Sequence, residues 1–540
     1  MNTIYSSVRK LMCSALAVMG VALVSSCGDF LEEYSTDQRY CEDAQDLEDL
    51  MIGEAFLPTN NLSTYSPGSL SPENMNSYNM AYIHVLDDDA DMLMLNQYVQ
   101  TSSTCSPIHV LGAMYRWAAD PNMDDLNKKW TDGSWANIYK RIGAINAIIF
   151  QSEKLQPKHE ADEILMRHVA GEAHFLRAFY YLQLANVYGL PYSKATANTD
   201  LCVPLKISET IEDRYFSRNT NAEVWGQIAQ DLDIAAEQLK GYNPETKLRA
   251  GYYAVKALQT RVALYMEDYE KVLECASVFD TPVSPYALTD LNSHVMGENI
   301  LCKSSKDVIF TMSQNEIPCI FANEGTAYDS NWMPYPVASC FKASDDLLEK
   351  FENSDLRLTH YFRHTETTNS VMPDKYKTWA TYNDKEGVSA MFLLRLAEVV
   401  LNKAEAQVML GKNSEAAQTI NSLRAKRFAV ANAAPTDGNQ LVNFIRDERR
   451  RELCFEGHRW FDLRRYAVNS IHPLSTDYTI THPAYAYNEA KGTAEQVGYY
   501  VLESYQKDQA AWVIPVPDET INFNRGEITN LLRKTRDMKH

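Results

Sequence analysis

The chain has 540 residues, enough for a large core or several domains, and its 45% apolar and 23% charged content is that of an ordinary globular protein. Asp and Glu outnumber Lys and Arg by 71 to 51, a formal net charge of −20. That balance argues against nucleic acid and against direct electrostatic adhesion to anionic lipid, and it suits a solvated surface protein whose ligand is neutral or cationic.

Arg9 and Lys10 form a positive n-region, Leu11 to Val24 is an uncharged stretch of 14 residues, and Val24-Ser25-Ser26-Cys27 closes it with small residues and a cysteine. A membrane span needs about 20 apolar residues, so residues 1–26 read as a secretory signal peptide. The cysteine in the cleavage position has the form of a bacterial lipobox and predicts Cys27 as a lipid-bearing N-terminus. Each buried acyl CH₂ contributes roughly 0.8 kcal/mol, and more than one chain makes such an anchor stable. Residues 27–50 then read as a tether leading into a first helix, and residues 51–540 as one domain.

Residues 51–130 are mixed and turn-rich. Helical periodicity sets in after 129. Trp135, Tyr139, Ile142 and Asn146 share one face, and Phe175, Phe179, Leu182 and Asn186 share another in the run Gly171 to Tyr188, which Gly189 and Pro191 stop. Thr220 with Glu223 three residues on is a capping box, followed by a stripe of Val224, Ile228, Leu232, Ala235 and Leu239. Helices are expected over 253–266 and 269–278, which completes helical pairs over about 129–280. Residues 281–385, rich in Pro, Ser, Asn, Thr and aromatics, read as an irregular insertion. Helices resume at 391–411, 414–427 and about 440–455. The Tyr-rich stretch 466–512 reads as loop, as does most of the C-terminal part 466–540. Small residues at the crossing of helix pairs, Ala397 and Ala404 against Ala416 and Ala417 across Gly411, suggest tetratricopeptide-like units. The fold class is therefore mainly α, a helical spine with a loop-rich, irregular face.

Chemistry-bearing motifs are few. The segment Arg446–Arg465 carries seven Arg and five Asp or Glu and reads as a charge-laced helix end, with Asp447 and Glu448 as partners of Arg451, and with Trp460 and Phe461 docking the turn. Asp87, Asp89 and Asp91 have the spacing of a calcium loop, but Met92 and Tyr98 stand where an EF-hand needs Gly and Glu, so an acidic surface or ligand-contacting loop is expected and no metal site is assigned. His174 and His458 read as scaffold. Apart from Cys13 in the leader and Cys27, the eight cysteines are scattered without CxxC spacing and read as mostly buried thiols, with room for one bridge. No GxSxG or HExxH occurs, and no catalytic residue or cofactor is assigned. Flat rings beside hydroxyl-binding polar groups are what glycan capture requires. The richest such cluster is Tyr328, Asn331, Trp332 and Tyr335 in the loop 324–336.

Several of these stretches, in order, resemble the SusD/RagB family of outer-membrane nutrient-binding lipoproteins. They are Cys27 to Glu33, whose acidic run after the cysteine is similar to the surface-export signal of Bacteroidetes lipoproteins; Trp135 to Asn146; Gly171-Glu172-Ala173 to Pro191; Asp231-Leu232; Glu405-Ala406; Asn421 with Arg424; Glu448 to Arg465; Ile514-Pro515; and Asn524. The C-terminal Arg525 to Asn530 departs from the QNPGY-like run usual in the family. The resemblance implies a tetratricopeptide-containing helical fold, a surface-exposed lipoprotein anchored in the outer membrane, and a binding protein without enzymatic activity or cofactor. It further implies a glycan ligand, oligosaccharide or polysaccharide, delivered to a SusC-like TonB-dependent transporter as part of polysaccharide utilisation, and it makes Tyr78, Tyr82 and Trp117 ligand-contact candidates, since they occupy the N-terminal region where members of the family also place such contacts. Peptide capture by a RagB-like member is the alternative. A surface glycoside hydrolase is a further one, and it would require two carboxylates about 5–9.5 Å apart across a cleft.

Overall fold

The computed structural model describes residues 41–57, 70, 75–94, 107–312, 315–321, 326–328, 334–336, 340–365, 369–376 and 386–540. The leader, Cys27 and the first part of the tether lie outside the described residues.

The first helix is α1 (Ala44–Leu50), N-capped by Asp43, whose carboxylate accepts from the amides of Gln45 and Asp46. After α2 (Pro107–Tyr115), the spine begins with α3 (Ser134–Lys154) and α4 (Glu160–Tyr188). Helix α4 starts eleven residues before the run legible in the sequence, with Glu160, Asp162 and Glu163 in its first turn, where they favour the positive end of the helix dipole. From Val169 to Tyr188 every residue is buried, as expected of a helix packed on all sides. Gly171 permits a close approach. A Cβ there would stand 2.7 Å from Leu239 Cγ, at the end of α5 (Asn221–Gln238).

Helix α5 begins with the expected capping box. Thr220 Oγ1 accepts from the Glu223 amide at 3.3 Å, and the Thr220 amide donates to Glu223 Oε2 at 2.7 Å. Thr220→Ala should therefore cost about 1 kcal/mol, read as a lower urea midpoint with an unchanged slope.

Helices α6 (Tyr252–Tyr265) and α7 (Tyr269–Ala276) form the next pair. Helices α8 (Leu396–Met409) and α9 (Asn413–Arg424) form another, turned by Gly411 at φ +74°, with Ala397, Ala404, Ala416 and Ala417 buried as expected of a close crossing. Helix α8 also packs on α6, α7 and α10 (Gly438–Leu453), and α11 (Arg459–Ala467) follows. The architecture is mainly α with a tetratricopeptide-like spine. Helix α8 begins at 396 because Leu394 and Arg395 are drawn into a two-residue strand.

The strands are short and antiparallel. β1 (Ala90–Leu93) pairs with β5 (Cys340–Ala343), β2 (Val308–Phe310) with β8 (Leu394–Arg395), β3 (Thr326–Tyr328) with β4 (Pro334–Pro336), and β6 (Phe362–His364) with β7 (Val371–Pro373). The longest pair departs from expectation. β9 (Ile480–Asn488) and β10 (Thr493–Leu502) form a hairpin in the stretch expected to be loop. Pro483 inside β9 argues against a central strand, but in a two-stranded ribbon both strands are edges and a proline is tolerated.

Candidate ligand-binding face

The sequence blocks that carry the family resemblance turn out to be the internal wiring that holds the face in place. Arg177 on α4 donates to Asn146 Oδ1 on α3 at 2.9 Å and to both oxygens of Asp231 on α5 at 2.9 and 2.6 Å, and His174 Nδ1 lies 2.7 Å from Asp231 Oδ1. Burial pushes the Asp231 carboxyl up, but His174 and Arg177 outweigh it and hold it below the usual range. One arginine thus ties three helices, and His174 is scaffold.

The Arg-rich segment is buried in the same manner. Arg449 pairs with Asp462 at 2.7 Å, and Arg465 spans Asp462 and Glu405 at 2.7–2.8 Å. Glu452 accepts from Arg357, Arg395, Arg427 and Tyr361, and Glu456 accepts from Arg395 and Lys375. Helix α10 is in this way riveted to the irregular insertion. Arg451 pairs with Glu448 at 2.6 Å, as expected, but Asp447 takes no part. Its side chain turns to a surface cavity instead. His458 is buried, and burial with the nearby arginines pushes its imidazole well below its usual value, which keeps it neutral.

The Asp87–Asp91 segment is not the acidic surface loop expected. Asp87 and Asp89 are buried, Arg459 grips Asp88 through two bonds of 2.7 Å, and Arg450 holds Asp89 at 2.7 Å. The carboxylates of 87–89 come within 4.8 Å of one another, but it is these two guanidinium groups that supply the opposing charge. Among the described residues, seven cysteines are free thiols, and Cys202, Cys275, Cys319, Cys340 and Cys454 are buried.

The aromatic candidates divide. Tyr78, Tyr82 and Trp117 are 4%, 1% and 0% exposed, so no ring face of theirs is open in this structure. Tyr82 and Tyr188 both donate to Asp132 Oδ2, at 2.6 and 2.5 Å, a buried clip whose acceptor the sequence did not single out. Trp117 donates its indole N–H to Leu86 O at 2.9 Å and stacks on His482 at 4.2 Å. These three rings belong to the buried core, which overturns their reading as open ligand contacts.

Tyr328 and Tyr335 lie on the β3–β4 hairpin. Its register pairs Ala327 with Tyr335 and Tyr328 with Pro334, so the two tyrosines are not cross-strand partners. Asn331 and Trp332 lie outside the described residues. The elements on either side of the hairpin are packed into the core. The short helix Ile317–Phe321 before it packs on β5, β7 and the 3₁₀ helix Ala81–Val85, with Phe321 edge-on to Phe455 at 4.9 Å. After it, β5 is buried against β1.

Comparison with known proteins accords with this architecture. Residues 323–531 match the family model described as "SusD family", and residues 64–264 match one described as "Starch-binding associating with outer membrane", so that the two together take in most of the chain. SusD-like protein P2 of Formosa agariphila is 25% identical over 389 residues, 62% of this chain and 72% of that protein. A SusD superfamily protein from Bacteroides thetaiotaomicron has the same fold, with a TM-score of 0.64 at 20% identity over 90% of this chain and 99% of the other. So has a SusD-like carbohydrate binding protein from Bacteroides vulgatus, with a TM-score of 0.61 at 16% identity over 91% and 99%. With both halves matching in order and the motif residues converging on one spine, the chain belongs to the SusD/RagB family.

Proposed function

We propose that this protein captures an oligosaccharide or polysaccharide at the cell surface, without turnover, and passes it to a SusC-like TonB-dependent transporter, while a lipid on Cys27 holds it to the outer membrane. The observation that carries the reading is the family match itself, whose C-terminal part includes the aromatic hairpin and whose N-terminal part is named for starch binding at the outer membrane. The neighbour from Bacteroides vulgatus described as carbohydrate binding supports the same ligand class. Among the described residues no helix is long and apolar enough to cross a membrane. In this reading Tyr328, Asn331, Trp332 and Tyr335 contact the ligand, and Tyr78, Tyr82 and Trp117 are core. No metal or cofactor takes part.

The test is a titration of the full chain, in a detergent that carries no sugar, with neutral oligosaccharides and with peptides, following Trp fluorescence and product release together. Saturable glycan binding without products, weakened about tenfold (~1.4 kcal/mol) or more in Trp332→Ala, is the expected result. Product release would overturn capture without turnover. Binding of peptides alone would transfer the site to the RagB-like alternative.

A further inference from the structure

A second place on the molecule has the make-up of a ligand site. A cavity of about 590 Å³ opens between α10, α11, the start of β9 and the turn that enters β1. That volume falls within the roughly 300–1,000 Å³ of small-molecule sites, and the cavity shares no residue with the β3–β4 hairpin.

Its wall is pre-formed. The Asp88–Arg459 fork, with Arg450 bonded to Asp89 and to Asp346 at 2.6 Å, satisfies its own charges. The Tyr478 hydroxyl donates to Asp88 Oδ2 at 3.0 Å, which locks a half-buried ring on the cavity wall. A ring held at its polar tip offers a fixed apolar face at little entropic cost.

The rim differs from the wall. The Lys350 ammonium, the Asp447 carboxylate and the Asn443 amide all border the cavity, and among the described residues none of the three has a side-chain hydrogen bond or ion pair. Asp447 sits one residue from Glu448 and Arg446, in a segment where nearly every other charge is paired, so its freedom is an exception within its own helix. The lining as a whole is balanced: Asp88, Asp91, Asp346 and Asp447 are offset by Lys350, Arg446, Arg450 and Arg459. A wall of zero net charge exerts little long-range attraction on an ion of either sign. It favours a neutral ligand whose groups both donate and accept, as a sugar hydroxyl does: donating to Asp447 or the Asn443 carbonyl, accepting from Lys350 or the Asn443 amide.

We propose that this cavity is a second saccharide subsite, with Tyr478 as the stacking face and Lys350, Asn443 and Asp447 reading hydroxyls. The ligand class rests on the glycan reading above; the location rests on the cavity alone.

Lys350 supplies the readout. The full chain is acetylated with a water-soluble amine reagent, with and without a panel of neutral methyl glycosides at millimolar concentration, and acetyl-Lys350 is quantified by mass spectrometry. Glycoside at about ten times its Kd should lower Lys350 acetylation about tenfold, with the other surface lysines unchanged. Protection should persist in Trp332→Ala and vanish in the double variant Asn443→Ala with Asp447→Ala, which removes no structural pair and should leave the Tm unchanged. Unprotected Lys350 across the panel, protection by amino acids or dipeptides only, or protection that vanishes with Trp332→Ala would each overturn the proposal. Failure of the hairpin reading shows separately, as the absence of any Trp332-dependent oligosaccharide signal.

Discussion

Glu452→Ala should destabilise the fold by about 3–5 kcal/mol, the cost of leaving buried charge without its partner. Glu452 is fully buried near the end of α10. Its Oε1 accepts from Arg395 at 2.9 Å, Arg427 at 2.7 Å and the Tyr361 hydroxyl at 2.9 Å, and its Oε2 accepts from Arg357 at 3.1 Å and Arg427 at 2.8 Å. Three guanidinium groups brought in by the insertion and by the spine converge on one carboxylate, so its removal loosens the insertion on α10. Urea denaturation of the variant checks this, and a loss below about 1 kcal/mol, the size of an ordinary hydrogen bond, would sink the view of Glu452 as the hub. Glu452→Gln keeps an acceptor but not the charge and should fall between.

The same residue makes an acid-sensitivity prediction. Burial pushes the Glu452 carboxyl up, yet Arg427, Arg395 and Arg357 outweigh it and hold it well below its usual value. Glu448 behaves alike: burial opposes, Arg357, Arg451 and Arg424 prevail, and the carboxyl is held at about 2. A folded-state value below the unfolded one gives stability that is present above the unfolded value, about 4.3 for Glu, and lost as pH falls through the folded one. The wild-type protein should therefore lose stability as pH drops from about 4.5 towards about 2, and Glu452→Gln should be flatter over that window in a urea-midpoint series.

Trp460→Ala should cost a comparable amount, about 3–5 kcal/mol, the usual range for truncating a buried Trp. Trp460 is fully buried on α11 and stacks on Trp512 with centroids 5.0 Å apart and planes 11° apart. Trp512 is itself anchored by its indole N–H on Glu503 O at 2.9 Å, and two residues on, the Ile514 amide donates to Val187 O at 3.1 Å. Arg464, on the same helix as Trp460, donates to the carbonyls of Asn186 and Gly189. The indole pair therefore docks the C-terminal segment onto the end of α4. The truncated variant should lose the near-ultraviolet circular dichroism of the stacked indoles along with its Tm. Trp460→Phe should cost less, because the Trp460 indole N–H has no hydrogen-bond partner and only volume is removed. Equal losses in the two variants would contradict that.

Much of the scaffold was legible because its signals are local. The 3.6-residue stripes that announce α3, α4 and α5, the Thr220–Glu223 box and the stop at Gly189 and Pro191 all lie within a few turns of chain, where period and capping chemistry decide the outcome. The aromatic candidates were not separable in this way. Tyr82 stands outside any periodic helix, and its burial is tied to Asp132, fifty residues away, which accepts its hydroxyl. Asp87 to Asp89 read as an exposed acidic run because their partners, Arg450 and Arg459, lie more than 350 residues on. The β9–β10 hairpin escaped notice because Pro483 masks an alternation that only edge pairing permits.

By itself the sequence determined the helical spine, the family and the order of its parts, since helix periodicity and motif spacing are properties of neighbouring residues. Only the tertiary structure decided which carboxylate meets which guanidinium, which rings are buried, and that Asp447, Lys350 and Asn443 are left to face a cavity. Those outcomes depend on contacts between distant segments, and burial and pairing arise when the segments pack, not from the identity of any residue along the chain.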